Sequence, residues 1–242
     1  MKFIKREIED YKHLLRAIPS LTVSLFVVSV ILMNLLANKE IQTGLSWLAL
    51  DCGLLVSWLS FLSMDVITKR FGAKASTKIS ILAIGVNLIV CFMLFLISNI
   101  SGNWGEFYTY ENPIVNSALD ATFGGTWYIL MGSTIALLIS SATNNFVNSA
   151  IGKLFKSNSF TAYATRSYVS TMVGQFLDNL LFSLIVSHHF FGWSLLQCIT
   201  CSLTGALVEL LCEVIFSPLG YKICKGWERE NVGKDYLHRT FK

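Results

Sequence analysis

Five carboxylates, Asp51, Asp65, Asp178, Glu209 and Glu213, lie inside or at the edges of long apolar runs. A charged side chain at the centre of a bilayer costs at least ~2.5 kcal/mol, so acids kept there face a bundle interior or a watery cavity. Residues three, four and seven apart share one face of a helix. By that spacing Ser167, Thr171, Gln175, Asp178 and Phe182 form one stripe, and Cys198, Ser202, Gly205, Glu209 and Glu213 form a second. Asp51, Leu55, Trp58, Leu62 and Asp65 form a third. Converging, the three stripes would line a cavity bearing carboxylates, an amide and an aromatic ring. At 1.5 Å per residue Asp178 sits roughly 18 Å from the inner end of its run and Glu209 roughly 12 Å from the end of its own. Asp51, Asp65 and Glu213 lie nearer the edges, where snorkelling to water or helix capping competes with function. Asn34 and Asn87 fit helix-to-helix hydrogen bonding, the commoner use of a buried amide in lipid.

The elements that must hold these side chains are set by composition. The 242 residues are 53% hydrophobic and 14% charged, with 17 Phe, against about 25% charge in soluble domains. A soluble enzyme, a secreted disulfide scaffold and a disordered tail are all excluded. Six apolar runs, at 20–37, 46–67, 78–98, 122–143, 167–187 and 193–217, have the length of membrane helices. In lipid their backbones must satisfy their own hydrogen bonds, which makes them helices. Pro19 at the opening of the first run, Pro113 in a loop and Pro218 closing the last fit positions where a missing amide hydrogen is tolerated. The expected fold class is an all-α polytopic membrane protein, a single integral membrane domain over residues 1–242.

Charge sets the expected orientation. Of 19 Lys and Arg, 18 fall in alternate segments and one, Lys39, in the others. The positive-inside rule then puts both termini in the cytoplasm, as an even number of spans requires. The basic stretch Lys2 to Arg16 could open a signal peptide, but five further runs follow and Leu35-Leu36-Ala37 lacks a cleavage site, so the first run reads as an uncleaved helix. The outer segment 99–121 carries Glu106, Glu111 and Asp120 with Trp104, Phe107, Tyr108 and Tyr110. It suits an interfacial aromatic belt or a lid over an outward cavity. The fourth run continues through Thr143, Asn144, Asn145 and Asn148, so its inner end is expected to be wet or packed on other helices.

Other chemistries find little support. The net charge of +4 comes from clusters between apolar runs rather than one patch, which argues against nucleic acid. The six cysteines give no disulfide framework, and Cys198-x-x-Cys201 lies in an apolar run without a second pair or matching His, so it reads as packing rather than redox or metal chemistry. His188 and His189 lack a metal or catalytic partner at sensible spacing. With no GxxxxGK[ST] and no GxSxG, neither that route to ATP hydrolysis nor that nucleophile elbow is present. No enzyme activity, cofactor or metal is expected.

The stretch Ser63-Met64-Asp65-Val66-Ile67-Thr68-Lys69-Arg70-Phe71-Gly72, followed by Arg166 to Phe182 (RSYVSTMVGQFLDNLLF), resembles the queuosine precursor transporter family, also called the vitamin uptake transporter family. Asn34-Leu35-Leu36-Ala37-Asn38-Lys39 is similar to that family's first-helix end. The resemblance implies a multi-pass protein of the bacterial plasma membrane importing 7-deazaguanines such as preQ0, preQ1 or queuine. It marks Asp65 and Gly72 after the second helix, and Arg166, Ser170, Gln175 and Asp178 on the fifth. Lys69 departs from the family, which usually carries an acid four positions after the aspartate; Arg70 adds a cation where none is required.

Such a substrate suits the stripes. A carboxylate can accept both N–H donors of a deazaguanine edge, and an amide such as Gln175 can read the adjoining carbonyl. Trp58 or Phe182 can stack on the ring. The expected site is Asp178, Gln175, Glu209, Trp58, Phe182, Asn179, Arg166, Asn87 and Asp65. Asp178 would hold the base edge, and Glu209 would meet an aminomethyl cation or, with Glu213, shuttle a proton. Partners are the deazapurine base and the bilayer, with a homodimer or an energising partner both open. Three runs on each side of the 99–121 segment have opposite membrane sense, as in inverted repeats, and Asp65 and Asp178 occupy the middle run of each half. Two alternatives stand beside uptake: a substrate-binding subunit of an ATP-driven vitamin uptake complex, and a non-transporting membrane scaffold whose buried acids pair with Arg166 or polar helices.

Overall fold

The computed structural model describes residues 2–105, 113–154 and 160–240. Each apolar run gives a helix, but several bounds move for physical reasons. The basic N-terminal stretch forms an amphipathic helix α1 (Lys2–Ala17). It turns by 106° at Pro19 into α2 (Ser20–Leu36), because proline lacks the amide hydrogen that would continue the helix. The second run does not begin as a helix at 46. Residues Glu40–Ile41 (β1) and Leu50–Asp51 (β2) pair as an antiparallel hairpin, with Glu40 opposite Asp51. The hairpin is tied down by Thr200 Oγ1, which donates to the Trp47 carbonyl at 2.6 Å, and by Trp193 Nε1, which donates to Glu40 Oε1 at 3.2 Å. Only then does α3 (Leu54–Phe71) begin, followed across Gly72 by α4 (Ala73–Ser98).

Helix α5 (Pro113–Leu154) includes Pro113, so that proline lies in a helix rather than in a loop. It continues past Asn148, and its first turns rebuild the outer segment. Asn116 Oδ1 accepts from the Trp104 amide at 2.6 Å and Asp120 Oδ1 from Trp104 Nε1 at 2.6 Å. Glu106, Phe107, Tyr108, Tyr110 and Glu111, on which the belt and lid readings also rest, lie outside the described residues. Helix α6 (Phe160–Phe182) passes into a π-helical turn, Ser183–Ser187, and a last α-turn, His188–Phe190. The Ile185 carbonyl in the π turn accepts from Tyr128 Oη at 2.9 Å.

Helix α7 (Leu195–Arg229) runs through Pro218 rather than stopping there. Proline cannot donate to the carbonyl four residues back, and Ser217 Oγ donates to that Val214 carbonyl instead, at 3.2 Å. A capping box, in which Ser194 and Gln197 satisfy each other's backbone amides, starts this helix. A short α8 (Lys234–Thr240) folds back on α1.

Apolar side chains cover the outside, and many polar ones lie inside beside apolar clusters. Leu21, Ile89, Phe92, Ile135, Leu196 and Leu211 are exposed, whereas Ser29, Asn34, Ser60, Asn87, Gln175, Ser202 and Glu209 are buried. So much exposed apolar surface around buried polar groups is the arrangement lipid demands. By length and composition four described helices can cross a membrane, five if the bent α1–α2 pair counts as one. Helix α3 falls outside that set, since its 18 residues carry Asp65, Lys69 and Arg70. At the end where α1 and α8 meet, Leu14, Ile18, Phe71, Ala75, Trp227 and Tyr236 form an apolar collar. Buried Lys78 fastens α1 to it: Nζ binds Glu7 Oε2 at 2.8 Å and also Asp10, and its carbonyl accepts from Tyr11 Oη at 2.9 Å. Arg70, unexplained by the family resemblance, donates through Nε and Nη2 to the Val232 carbonyl at 3.1 and 2.8 Å, clamping the approach to α8.

Candidate functional site

Helix phase decides which side chains meet. Four members of the stripe on α6, Thr171, Gln175, Asp178 and Phe182, line cavities as their spacing requires; the Ser167 side chain lies outside the described residues. From α7, Cys201, Gly205 and Glu209 reach the same interior. The stripe on α3 differs from the spacing set by Asp51. Because Asp51 lies in β2, it does not fix the phase of the helix, and the face turned inward is Leu54, Ser57, Phe61 and Met64. Leu55 points outward, 63% exposed, and Trp58 stacks on Phe216 with centroids 4.5 Å apart instead of lining a described cavity.

One cavity, about 50 Å³, has room for several waters. Asp51, Asp178 and Glu209 line it with Asn34, Asn179, Ser57, Phe61 and Phe182. The three acids are close enough for Asp178 and Asp51 each to repel charge on Glu209, and no Lys or Arg stands among the described lining residues. Each carboxylate is held by the scaffold. Asp51 Oδ1 accepts from the Gly53 amide at 2.8 Å. Asp178 Oδ1 accepts from Ser140 Oγ on α5 at 2.7 Å. Glu209 Oε2 accepts from Asn179 Nδ2 at 3.3 Å. Gly205 permits that last contact, since a Cβ there would lie 2.7 Å from Asn179 Nδ2. The Asn34 Nδ2, in a side chain 2% exposed, has no hydrogen-bond partner among the described residues and is a spare donor at the cavity wall.

Gln175 does not share this cavity with Asp178. Together with Asp65, Ser140, Asn144 and Thr171 it lines a neighbouring space of about 30 Å³, nearer the collar. A third, of about 20 Å³, lies against Asn34, Ser133 and Asp178. Phe61 borders all three. Asp65 is repelled by Glu213 and attracted by Lys69 one turn along α3; Lys69 Nζ lies 4.5 Å from the centre of the Tyr221 ring. The lysine thus supplies countercharge at the position where the family usually carries an acid. Asn87 is 1% exposed on α4 and lines none of the three cavities described. The Arg166 side chain lies outside the described residues.

Several side chains at the site do not belong to the three stripes read from the acids. Ser133, Leu137, Ser140 and Asn144 follow one another at spacings of four, three and four along α5 and all face cavities, so the same periodicity applied to the fourth run identifies them. Phe61 carries no such polar signal. Cys198 and Cys201 pack with Ala49 and Trp193 in a small apolar cluster. His188 Nδ1 is engaged by the Trp193 carbonyl. Among the described residues no group of three His, Cys, Asp or Glu could hold a metal ion.

Residues 51–223 match a family model described as "Putative vitamin uptake transporter". No curated protein and no solved structure matches the chain. The match begins at Asp51, the first of the three cavity acids, extends past Glu209, and covers well over half the sequence, a span that holds the whole acidic cavity apart from its α2 wall. The chain is an all-α, multi-pass membrane protein of the vitamin uptake transporter family, which is a transporter rather than an enzyme family.

Proposed function

We propose that this protein imports queuosine precursors, 7-deazaguanine bases such as preQ0, preQ1 or queuine, across the bacterial plasma membrane. In this reading the chain crosses six times with both termini in the cytoplasm, and the acidic cavity is the substrate site. The observation that carries it is the convergence of Asp51, Asp178 and Glu209 on one cavity with an aromatic wall and no cation among its described lining residues. Buried acids without a basic partner are costly, and a ligand rich in N–H donors removes that cost.

Asp178 has one oxygen held by Ser140, which orients the carboxylate toward the N–H edge of the base. Asn34 offers its unpaired Nδ2 to the base carbonyl, the role that the sequence suggested for Gln175. Phe61 and Phe182 supply apolar surface for the flat ring. Glu209, held by Asn179, meets the ammonium of an aminomethyl substituent. Uptake of labelled precursor by Asp178→Asn and Glu209→Gln variants that reach the membrane tests this. Transport should fall at least tenfold in each, and wild-type rates in both overturn the assignment.

A further inference from the structure

We infer that α1 is an interfacial helix whose exposed face binds the anionic headgroups of the lipid leaflet it adjoins. Helix α2 is an apolar segment of 17 residues, about 26 Å long, that starts at Ser20. The edge of the lipid therefore lies close to the bend at Pro19. That bend, 106°, exceeds a right angle by about 16°. With α2 running into the membrane, α1 lies near the membrane plane, and its N-terminal end tips back toward the lipid rather than away from it. A helix about 10–12 Å in diameter held at that edge lies within reach of headgroups along its length.

Packing sorts the side chains of α1 into two faces. One face is spent on the protein: Leu14 is buried in the collar, Tyr11 donates to the Lys78 carbonyl, and Glu7 and Asp10 bind Lys78 Nζ. On the other face Lys5, Ile8, Lys12 and Leu15 follow one another at spacings of three, four and three and are all exposed. By sequence the helix mixes five cations with three acids. The fold turns two of those acids inward onto Lys78, so the exposed face, among the described residues, carries Lys5, Arg6, Lys12 and Arg16 against Glu9 alone. Beside these cations Ile8 and Leu15 stand 50% and 39% exposed. Apolar side chains flanked by Lys and Arg on a helix lying along a membrane are the chemistry that an anionic leaflet fits: the apolar tips enter the acyl boundary while the long basic side chains reach the phosphates. Because the opposite face is fastened to α4 through Lys78, lipid held here braces the start of α2, whose other end brings Met33 and Asn34 to the acidic cavity. The lipid contact does not rest on the substrate assignment.

The test uses purified full-length protein in a neutral detergent, melted with added dioleoyl phosphatidylglycerol or with dioleoyl phosphatidylcholine. At roughly tenfold above its Kd, phosphatidylglycerol should raise the melting temperature by about 3–6 °C. Phosphatidylcholine, and inorganic phosphate without lipid, should raise it by less than about 1 °C. The triple variant Lys5→Gln, Lys12→Gln, Arg16→Gln should lose most of the rise while keeping a cooperative transition. A charge-matched control, Lys222→Gln, Arg229→Gln, Lys234→Gln, alters exposed cations on α7 and α8 and should keep it. The double variant Ile8→Ser, Leu15→Ser should bind phosphatidylglycerol at least threefold more weakly. Equal melting in the two lipids, a full response in the α1 charge variant, or an equal loss in the control overturns the assignment and leaves this face to solvent or a protein partner. Unchanged affinity in the Ile8 and Leu15 variant overturns the seating of the helix in the acyl boundary.

Discussion

Gly205→Ala tests the acidic cavity without touching an acid. The new Cβ would lie 2.7 Å from Asn179 Nδ2 and 3.2 Å from its Cγ, and ordinary contact begins near 3.4 Å. The Asn179 amide must therefore withdraw by about 0.7 Å, the difference between 3.4 and 2.7 Å. Its bond to Glu209 Oε2 is already 3.3 Å long and does not survive such a shift. A hydrogen bond to a charged acceptor contributes about 1.5–3 kcal/mol, so Glu209 loses one of its two side-chain supports, Ser57 being the other, and ligand affinity should fall roughly 10- to 150-fold. Ligand titration of purified protein measures this, with a melting curve alongside to establish that the fold persists. Gly226→Ala serves as control: it lies on the same helix with nothing within 4 Å of the new Cβ. It should leave affinity unchanged and stabilise the protein by about 0.5–1 kcal/mol, the helical preference of Ala over Gly. Unchanged affinity in a folded Gly205→Ala protein would refute the positioning of Glu209 by Asn179, and equal loss in Gly226→Ala would show that the effect belongs to the helix rather than the contact.

Other contacts give sharp expectations. Ser140→Ala removes the 2.7 Å bond to Asp178 and should weaken substrate binding roughly 10- to 150-fold by the same reasoning, which equilibrium binding checks. Gly132→Ala places a Cβ 2.3 Å from Val186 Cγ2 in the π turn; overpacking of this kind costs about 1–3 kcal/mol, so the melting temperature should fall by several degrees. Arg70→Ala removes both bonds to the Val232 carbonyl and should free α8, exposing the chain after Arg229 to limited trypsin digestion while the helical core stays protected.

Much of the architecture was legible in order along the chain. An apolar run of about 20 residues must be helical in lipid whatever it packs against, so each run gave a helix without knowledge of its neighbours. The acids stood out for a related reason: where charge is rare, each one requires an explanation. What failed locally failed at punctuation. The 46–53 segment is apolar enough to extend a helix, yet the hairpin holding Asp51 is fixed by partners about 150 residues away, Trp193 and Thr200. Pro218 looked like a terminus, but a neighbouring serine takes over the bond it breaks.

The sequence by itself determined the membrane class, the helical runs, the inward face of α6, and the family resemblance that places the chain among vitamin uptake transporters. Those features follow from periodicity and composition, which are properties of one segment at a time. Tertiary structure decided which faces meet. It turned α3 so that Phe61 rather than Trp58 looks inward, brought Ser140 across to Asp178, and separated Gln175 from Asp178 although the two lie one turn apart on the same helix. Such choices depend on the relative rotation of packed helices, where small residues such as Gly205 set how closely backbones approach, and no single segment carries that information.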